Sequence, residues 1–217
     1  MSTAHQPPAR RGPAGYRVDI VPDRSPTLPS GTVTFLFTDV EGSTRLWDAF
    51  PDDMRAALRV HDETLTAAAT QHGGKVVKHT GDGLFIAFGS ATGATQAAVA
   101  AQRGLAGVEW PDVIGSLMVR MALHTAEVSP TGDDYLSPEV NRVARIEAAG
   151  HGGQILISGS TYRLVGGALP DGTALDTTEV DGVGLFASTP DPRWGEIARR
   201  YRWAGDDAEN ADGGADG

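Results

Sequence analysis

The sequence predicts an α+β domain, with helices packed on one mostly antiparallel sheet and a βαββαβ core. Two observations favour this class. Apolar strand patterns occur as neighbours separated by a short glycine-rich turn, which is typical of antiparallel hairpins. Amphipathic helical patterns long enough to serve as crossover connections lie between the other strands. The expected order is strand, helix, strand, strand, helix, strand, helix, strand.

The first strand is predicted over 32–38, where Val33, Phe35 and Phe37 occupy alternate positions. The remaining strands are predicted over 75–79, 84–88, 117–124, 154–157 and 173–178. Because only a Gly-Asp-Gly turn separates the second strand from the third, these two are expected to pair as a hairpin. The strands and their connecting helices together predict a ferredoxin-like arrangement.

Helices are predicted over 52–71, 90–106 and 138–149. The first carries apolar residues three and four positions apart, which places them on one face. The second has Ser90 as a good N-cap, and the third has Pro138 in its first turn. In the third helix, Val140, Ala144 and Ala148 recur every four residues. They are expected to face the body of the protein.

The chain of 217 residues predicts one domain at 31–190 after a flexible leader at 1–30. A short helix at 191–205 and a disordered acidic tail at 206–217 are expected to follow. The absence of cysteine excludes disulfides, cysteine-ligated zinc and thiol catalysis, and a net charge of −10 argues against a nucleic-acid-binding module. No apolar run reaches the ~20 residues of a membrane span. A cytoplasmic protein is therefore expected.

Two carboxylates stand where predicted strands end. Asp39 closes the first strand, and Asp82 lies in the Gly-Asp-Gly turn between the second and third. Mg²⁺ takes one or two protein carboxylates and leaves the rest of its shell to phosphate and water, so the pair is a candidate metal site. The alternatives are that Asp39 caps the helix after it and that the turn around Asp82 is only a hairpin turn.

Further candidates lie near these carboxylates or in the third helix. Lys78 is one of only two lysines, and it lies in the strand that leads to the Gly-Asp-Gly turn. Asn141 and Arg145 are four residues apart and share a helix face, with Asp134 in the loop before them. The alternative for each is an ordinary exposed residue. His124 lies in a predicted strand and is expected to be structural rather than catalytic.

Four stretches together resemble the class III adenylate and guanylate cyclase catalytic domain, in its bacterial, actinobacterial-type single-domain branch. They follow the family's order and spacing over about residues 31–165 and read FLFTDVEGSTRLW, GGKVVKHTGDGLFIAF, VRMALHTAEV and DDYLSPEVNRVARIEAAGHGGQILIS. The common signatures of P-loop enzymes, dinucleotide-binding folds, zinc proteases and serine hydrolases are absent from the sequence.

The resemblance implies a role for each candidate at the metal and the base. Asp39 and Asp82 match the residues that bind two divalent metal ions, Mg²⁺ or Mn²⁺. Lys78 and Asp134 match the pair that selects the purine, and Ala144 matches a small residue that lines the purine pocket. A lysine donor with an aspartate acceptor suits adenine, so ATP is expected over GTP.

The resemblance also implies the catalytic residues and the assembly. Asn141 matches the residue that orients the ribose, and Arg145 matches the one that stabilises phosphate charge in the transition state. Each site is expected to be shared across a head-to-tail homodimer. The two metal-binding aspartates would come from one subunit and the other site residues from its partner.

The expected activity is therefore conversion of ATP to 3′,5′-cyclic AMP and pyrophosphate in bacterial signal transduction, with ATP and a second copy of the chain as partners. Nucleic acid is not expected as a partner. Two alternatives remain open: a catalytically silent nucleotide-binding or dimerisation module, and a guanylate cyclase. The silent module is motivated by two departures from the family pattern, which usually has glycine at Ser137 and a Leu-rich strand pair near the C-terminal end; Ala126 also stands where the family usually has glycine.

Overall fold

The structure, a computed structural model, describes residues 27–165, 169–171, 173–180 and 183–187. The predicted helix at 191–205 and the acidic tail at 206–217 lie outside the described residues, as does the predicted leader except for residues 27–30.

The described chain forms seven strands and five helices. The strands are β1 (Gly31–Val40), β2 (Gly74–His79), β3 (Leu84–Phe88), β4 (Val119–Val128), β5 (Ile155–Ser158), β6 (Ala174–Val180) and β7 (Val183–Ala187). The helices are α1 (Ser43–Ala49), α2 (Pro51–Gln71), α3 (Ala91–Ala106), α4 (Pro138–Ala148) and α5 (Gly159–Val165). The sequence patterns did not predict α5 or β7, and they indicated a helix after Asp39 without giving bounds for α1.

All seven strands join one sheet in the order β2-β3-β1-β4-β5-β7-β6. Every pairing is antiparallel except β4 with β5, which are parallel and joined by the crossover helix α4. The segment from β1 through α2, β2, β3 and α3 to β4 is a βαββαβ unit with β1 and β3 at its centre. The predicted α+β class with a ferredoxin-like core is confirmed.

Helices cover the sheet on both faces. Helices α2 and α3 bury the face that carries Leu36 and Ile86, while α4 packs on the face that carries Phe35 and Ala122. The alternation of side chains along β1 sends its even-numbered residues to the first face and its odd-numbered residues to the second. Asp39 is odd-numbered, so its side chain projects on the α4 side of the sheet.

The buried face of α4 differs from the predicted one. Val143 and Ile146 are buried in the core against the sheet, whereas Ala148 is exposed. The prediction that Val140, Ala144 and Ala148 face the body of the protein was therefore wrong for Ala148, while Val140 packs against the core as predicted and Ala144 is half-buried. The physical reason is that the larger side chains remove more apolar area from water, at about 25 cal/mol per Å².

Candidate active site

Asp39 lies at the end of β1 and forms an ion pair with Arg120 of β4. The β1–β4 register places the two residues directly opposite each other. The Arg120 guanidinium donates to Asp39 Oδ2 from Nε at 2.9 Å and from Nη2 at 2.6 Å. Helix α1 begins after Gly42, with no side-chain cap hydrogen bond. The alternative that Asp39 caps the following helix was therefore wrong.

Asp82 lies beside Asp39 in the turn of the β2–β3 hairpin. The turn is closed by a hydrogen bond from Thr80 N to Gly83 O at 2.9 Å. The segment is therefore a hairpin turn, and it also positions the carboxylate of Asp82. Burial and the nearby charge of Asp82 raise the pKa of Asp39, against the lowering effect of Arg120. Asp82 Oδ2 is buried and has no hydrogen-bond partner among the described residues.

The close approach of the turn to β1 depends on Gly83. A Cβ at this position would lie 1.7 Å from Thr38 O and 3.1 Å from Asp39 Cα. The next residue, Leu84, donates its N–H to Thr38 Oγ1 at 2.9 Å. The turn is thus held directly against the tip of β1, which brings the two carboxylates together.

We expect Gly83→Ala to destabilise the protein by about 1–3 kcal/mol, because the added methyl group forces the turn away from β1. The displacement also separates Asp82 from Asp39, so any activity that needs both carboxylates falls further than stability does. Urea denaturation and a turnover assay measure the two effects. Gly81→Ala is the matched control, since its φ of 96° costs backbone strain but no atom lies within 4 Å of the added Cβ. Equal losses of activity in the two variants would contradict the expected role of this contact.

The two carboxylates fit a divalent cation that is completed by a ligand. Among the described residues, no group of three or more His, Cys, Asp or Glu side chains could hold a metal ion. The protein can instead offer Asp39 and the free, buried oxygen of Asp82, the ligand number at which Mg²⁺ relies on phosphate and water for the rest of its shell. To bind a cation through Oδ2, Asp39 must first release Arg120.

Lys78 and Asp134 lie together and form an ion pair within one chain. Lys78 Nζ is 2.5 Å from Asp134 Oδ2 and 5.8 Å from the centre of the Phe85 ring. The hydrogen bond from Lys78 holds the pKa of Asp134 below its ordinary value. Both side chains remain accessible, with 46% of Lys78 and 30% of Asp134 exposed. A donor and an acceptor are therefore adjacent and open to solvent.

A buried tyrosine fixes the loop that carries Asp134. The Tyr135 ring packs edge-on against Phe35 at 4.9 Å and Phe85 at 6.1 Å between ring centres. Its hydroxyl donates to Pro29 O at 2.5 Å, and its N–H donates to Asp134 Oδ1 at 2.8 Å. The Asp134 side chain is thus fixed by a hydrogen bond from the adjacent backbone, and its loop is anchored to the core by the Tyr135 ring.

Helix α4 presents Asn141 and Arg145 to solvent, and Ala144 between them is half-buried. Asn141 and Arg145 lie on the side opposite the buried residues of this helix, and Ala144 lies at the edge between the two sides. Ser137 is the N-cap of α4, in an extended conformation with φ of −141°, and its Oγ accepts from Glu139 N at 3.2 Å. The serine at this position therefore needs no glycine conformation and stabilises the start of the helix.

Two residues of this region were missed by sequence reasoning, Arg120 and Glu147. Glu147 of α4 is only 8% exposed, and its Oε1 lies 2.5 Å from Arg120 Nε in an ion pair without hydrogen-bond geometry. Burial raises the pKa of Glu147 to about 7, although the charge of Arg120 opposes the shift. An arginine within an apolar strand was the available signal for Arg120, but its partners depend on strand register and helix docking.

His124 takes part in a buried polar network at the start of α4. Its Nε2 lies 2.6 Å from Glu139 Oε2, and its Nδ1 lies 2.9 Å from Ser158 Oγ. Burial lowers the pKa of His124. These contacts join β4, β5 and the first turn of α4, and they agree with the structural role expected for this histidine.

The helices that the structure describes include none with the length and apolar character needed to cross a membrane.

The sequence profile of the family described as "Adenylate and Guanylate cyclase catalytic domain" matches residues 26–187. An uncharacterised protein of Mycobacterium tuberculosis is 38% identical over 175 residues, which are 79% of this chain and 57% of that protein. The adenylate cyclase of Lachancea kluyveri is 36% identical over 154 residues, 60% of this chain and 8% of that enzyme. The chain thus spans little more than half of the mycobacterial relative.

Solved structures show the same architecture. An adenylate cyclase of Trypanosoma brucei in its monomeric state matches with a TM-score of 0.59 at 25% identity, over 76% of this chain and 92% of that one. The guanylyl cyclase Cya2 matches in fold with a TM-score of 0.59 at 24% identity, over 76% of this chain and 97% of that one. Because the family profile covers well over half of the sequence, this chain belongs to the adenylate and guanylate cyclase catalytic domain family, a family of lyases.

Proposed function

We propose that this chain is an adenylate cyclase that converts ATP to 3′,5′-cyclic AMP and pyrophosphate, with two divalent ions, Mg²⁺ or Mn²⁺, at each site. The observation that carries the proposal is that the chain presents both the paired carboxylates Asp39 and Asp82 and the accessible ion pair of Lys78 with Asp134, so that two head-to-tail copies would combine one chain's carboxylates with its partner's ion pair. The first pair suits the phosphate end of a nucleotide, and the second suits the edge of a base.

The reaction requires attack of the ribose 3′-oxygen on the α-phosphorus and departure of pyrophosphate. Positioning and charge stabilisation dominate such phosphoryl chemistry. Divalent ions held by Asp39 and Asp82 would activate the attacking oxygen and neutralise the leaving group. Arg145 would donate to the phosphate oxygens as charge develops, and Asn141 would orient the ribose. Both side chains are exposed and available to a ligand.

The purine would be read by opening the ion pair between Lys78 and Asp134. Adenine presents an acceptor at N1 and a donor amine at N6, so it can replace each partner of the pair with a hydrogen bond of the same polarity. Guanine presents the reverse pattern, which leaves Lys78 and Asp134 facing groups of the wrong kind. Once a bound base shields the pair from water, a mismatched hydrogen-bonding group would cost about 1–3 kcal/mol, enough to favour ATP over GTP. Ala144 would line the pocket beside this edge.

We expect the catalytic assembly to be a head-to-tail homodimer with two equivalent shared sites. Its support within one chain is the placement of Asn141 and Arg145 on the solvent side of α4, while the side of α4 that faces the sheet carries Val143 and Ile146. A second copy would bring its own α4 to the Asp39–Asp82 pair. Cytoplasmic location remains a prediction.

A product assay with ATP and GTP tests the proposed function. Purified protein with Mn²⁺ or Mg²⁺ is expected to form cyclic AMP from ATP, and to form cyclic GMP from GTP more slowly. Specific activity is expected to rise with protein concentration as dimers form, because each complete site needs two chains. Chromatographic separation of the cyclic products measures both rates.

The matched control is the double variant Lys78→Glu with Asp134→Gly, which is expected to erode the preference for ATP while the metal-binding carboxylates stay in place. An unchanged ratio of the two products would contradict the purine-reading role of this pair. Tight ATP binding with no product at high protein and Mn²⁺ would replace the proposal with a silent nucleotide-binding module. Faster cyclic GMP formation would replace it with a guanylate cyclase.

A further inference from the structure

Arg120 lies between two carboxylates that come from different elements. On one side it donates twice to Asp39 of β1, and on the other its Nε lies 2.5 Å from Glu147 of α4. The Arg120 side chain is 29% exposed and that of Glu147 is 11% exposed, so the group is largely shielded from solvent. Asp39 accepts both hydrogen bonds from Arg120, and Glu147 Oε1 has no hydrogen-bond partner among the described residues.

A cation at Asp39 would change this arrangement. A cation that binds through Oδ2 competes with Arg120, because that atom accepts both hydrogen bonds. A guanidinium that loses an ion-pair partner in a shielded site is costly unless a second carboxylate remains, since partly buried charges need a counter-charge. Glu147 Oε1 already lies within contact distance of Nε, so a small rotation can replace one carboxylate with the other.

We propose that Glu147 is a positioning residue that retains the Arg120 guanidinium beside the site when a divalent cation takes Asp39. The inference rests on the proposed function, because it assumes that Asp39 is a metal-binding carboxylate that must be freed from Arg120. Glu147 acts through Arg120 and needs no contact with the substrate. It also connects the metal-binding end of β1 to α4, the helix that carries Asn141 and Arg145.

The consequence is a specific effect on cation binding. Among the described residues, Glu147→Gln leaves Arg120 with Asp39 as its only ion-paired carboxylate, so a cation that takes Oδ2 must break that ion pair without an alternative partner. We expect the affinity for Mg²⁺ to fall by about tenfold, the lower end of the loss seen when the partner of a metal ligand is removed. In an Arg120→Gln background the same substitution should change the affinity less than twofold, because there is no guanidinium to retain.

The experiment is a titration of the full chain with Mg²⁺ alone. Calorimetry measures the affinity for Mg²⁺, and ¹⁵N-edited NMR monitors solvent exchange of the Arg120 Nε–H during the titration. In the wild type this signal is expected to stay protected from solvent exchange before and after Mg²⁺ addition. In Glu147→Gln it should be protected without Mg²⁺ and exchange rapidly with it. Glu147→Asp keeps the charge on a shorter side chain and should give an intermediate result.

The matched control is Glu41→Gln. Glu41 is two residues from Asp39, and its charge acts on Arg120 without a direct contact. It therefore measures the simple loss of a nearby negative charge, and its Mg²⁺ affinity should shift less than twofold. An equal shift in Glu41→Gln and Glu147→Gln would overturn the proposal, as would a protected Arg120 signal in Mg²⁺-saturated Glu147→Gln.

The wild-type titration needs no variant, so it decides the proposal even where Glu147→Gln fails to fold. Loss of the protected Arg120 signal on Mg²⁺ addition to the wild type, or no Mg²⁺ binding at all, would overturn it. Failure of the proposed function is read separately from the product assay. If the wild type shows the expected titration but forms no cyclic nucleotide, the proposed role of Glu147 stands and the proposed cyclase activity is rejected.

Discussion

Asp39→Asn is expected to lower the rate of cyclic AMP formation by on the order of 10²–10³-fold, the loss typical when one charge-stabilising group leaves a phosphoryl-transfer or acyl-transfer site. Asn keeps the shape of Asp39 but lacks the negative charge that a divalent cation needs. Initial rates at saturating ATP and Mn²⁺ measure the effect. The fold should persist, because Arg120 keeps the carboxylate of Glu147 as a partner.

Asp112→Asn is the control for Asp39→Asn, since Asp112 is an exposed acid in the segment before β4. It should leave the rate unchanged, and thermal unfolding should show both variants folded. A rate for Asp39→Asn within about threefold of the wild type would remove the metal-binding role from this residue. Because ATP recognition is assigned to Lys78 and Asp134, nucleotide binding in Asp39→Asn should weaken much less than turnover.

A mixture of the inactive variants Asp39→Asn and Arg145→Ala is expected to recover activity. In a heterodimer, one shared site takes its carboxylates from the Arg145→Ala chain and its arginine from the Asp39→Asn chain, so that site is intact. Random pairing makes half of the dimers mixed, and each mixed dimer has one intact site out of two. The expected rate is therefore about one quarter of the wild-type rate at equal total protein.

The control for this complementation is a mixture of Asp39→Asn with Asp82→Asn. Both substitutions fall in the same half of the shared site, so every mixed dimer retains a damaged carboxylate pair at each site. No recovery is expected. Two different affinity tags and mass spectrometry confirm that mixed dimers form in both experiments. Recovery in this control, or none in the first mixture despite mixed dimers, would rule out sites shared in the proposed way.

The strand patterns predicted the metal-binding candidates because local rules suffice there. An alternating apolar strand ends at Asp39, and a Gly-Asp-Gly turn must carry Asp82 at the tip of a hairpin. The structure adds the reason that the turn needs Gly83, whose Cβ would collide with Thr38 O. That contact joins residues from separate strands, and no periodicity in the sequence contains it.

Helix α4 shows where pattern reasoning reaches its limit. Its start at Pro138 and the shared face of Asn141 and Arg145 follow from local spacing. Its buried face was assigned only in part, since Val140 packs against the core but only docking against the sheet selects Val143 and Ile146 over Ala148. Short elements such as α5 and β7 were also not predicted, because elements of this length contain too few residues for a clear periodic pattern.

The sequence by itself determined the class of fold, the family and the residue types at the candidate site, because strand alternation, helix spacing and turn glycines are local properties of the chain. Only the tertiary structure decided that Asp39 pairs with Arg120, that Lys78 meets Asp134, and that Glu147 is buried beside the first pair. The physical reason is that each contact joins segments far apart in sequence. Their distance is set by strand register and helix packing, which local patterns do not encode.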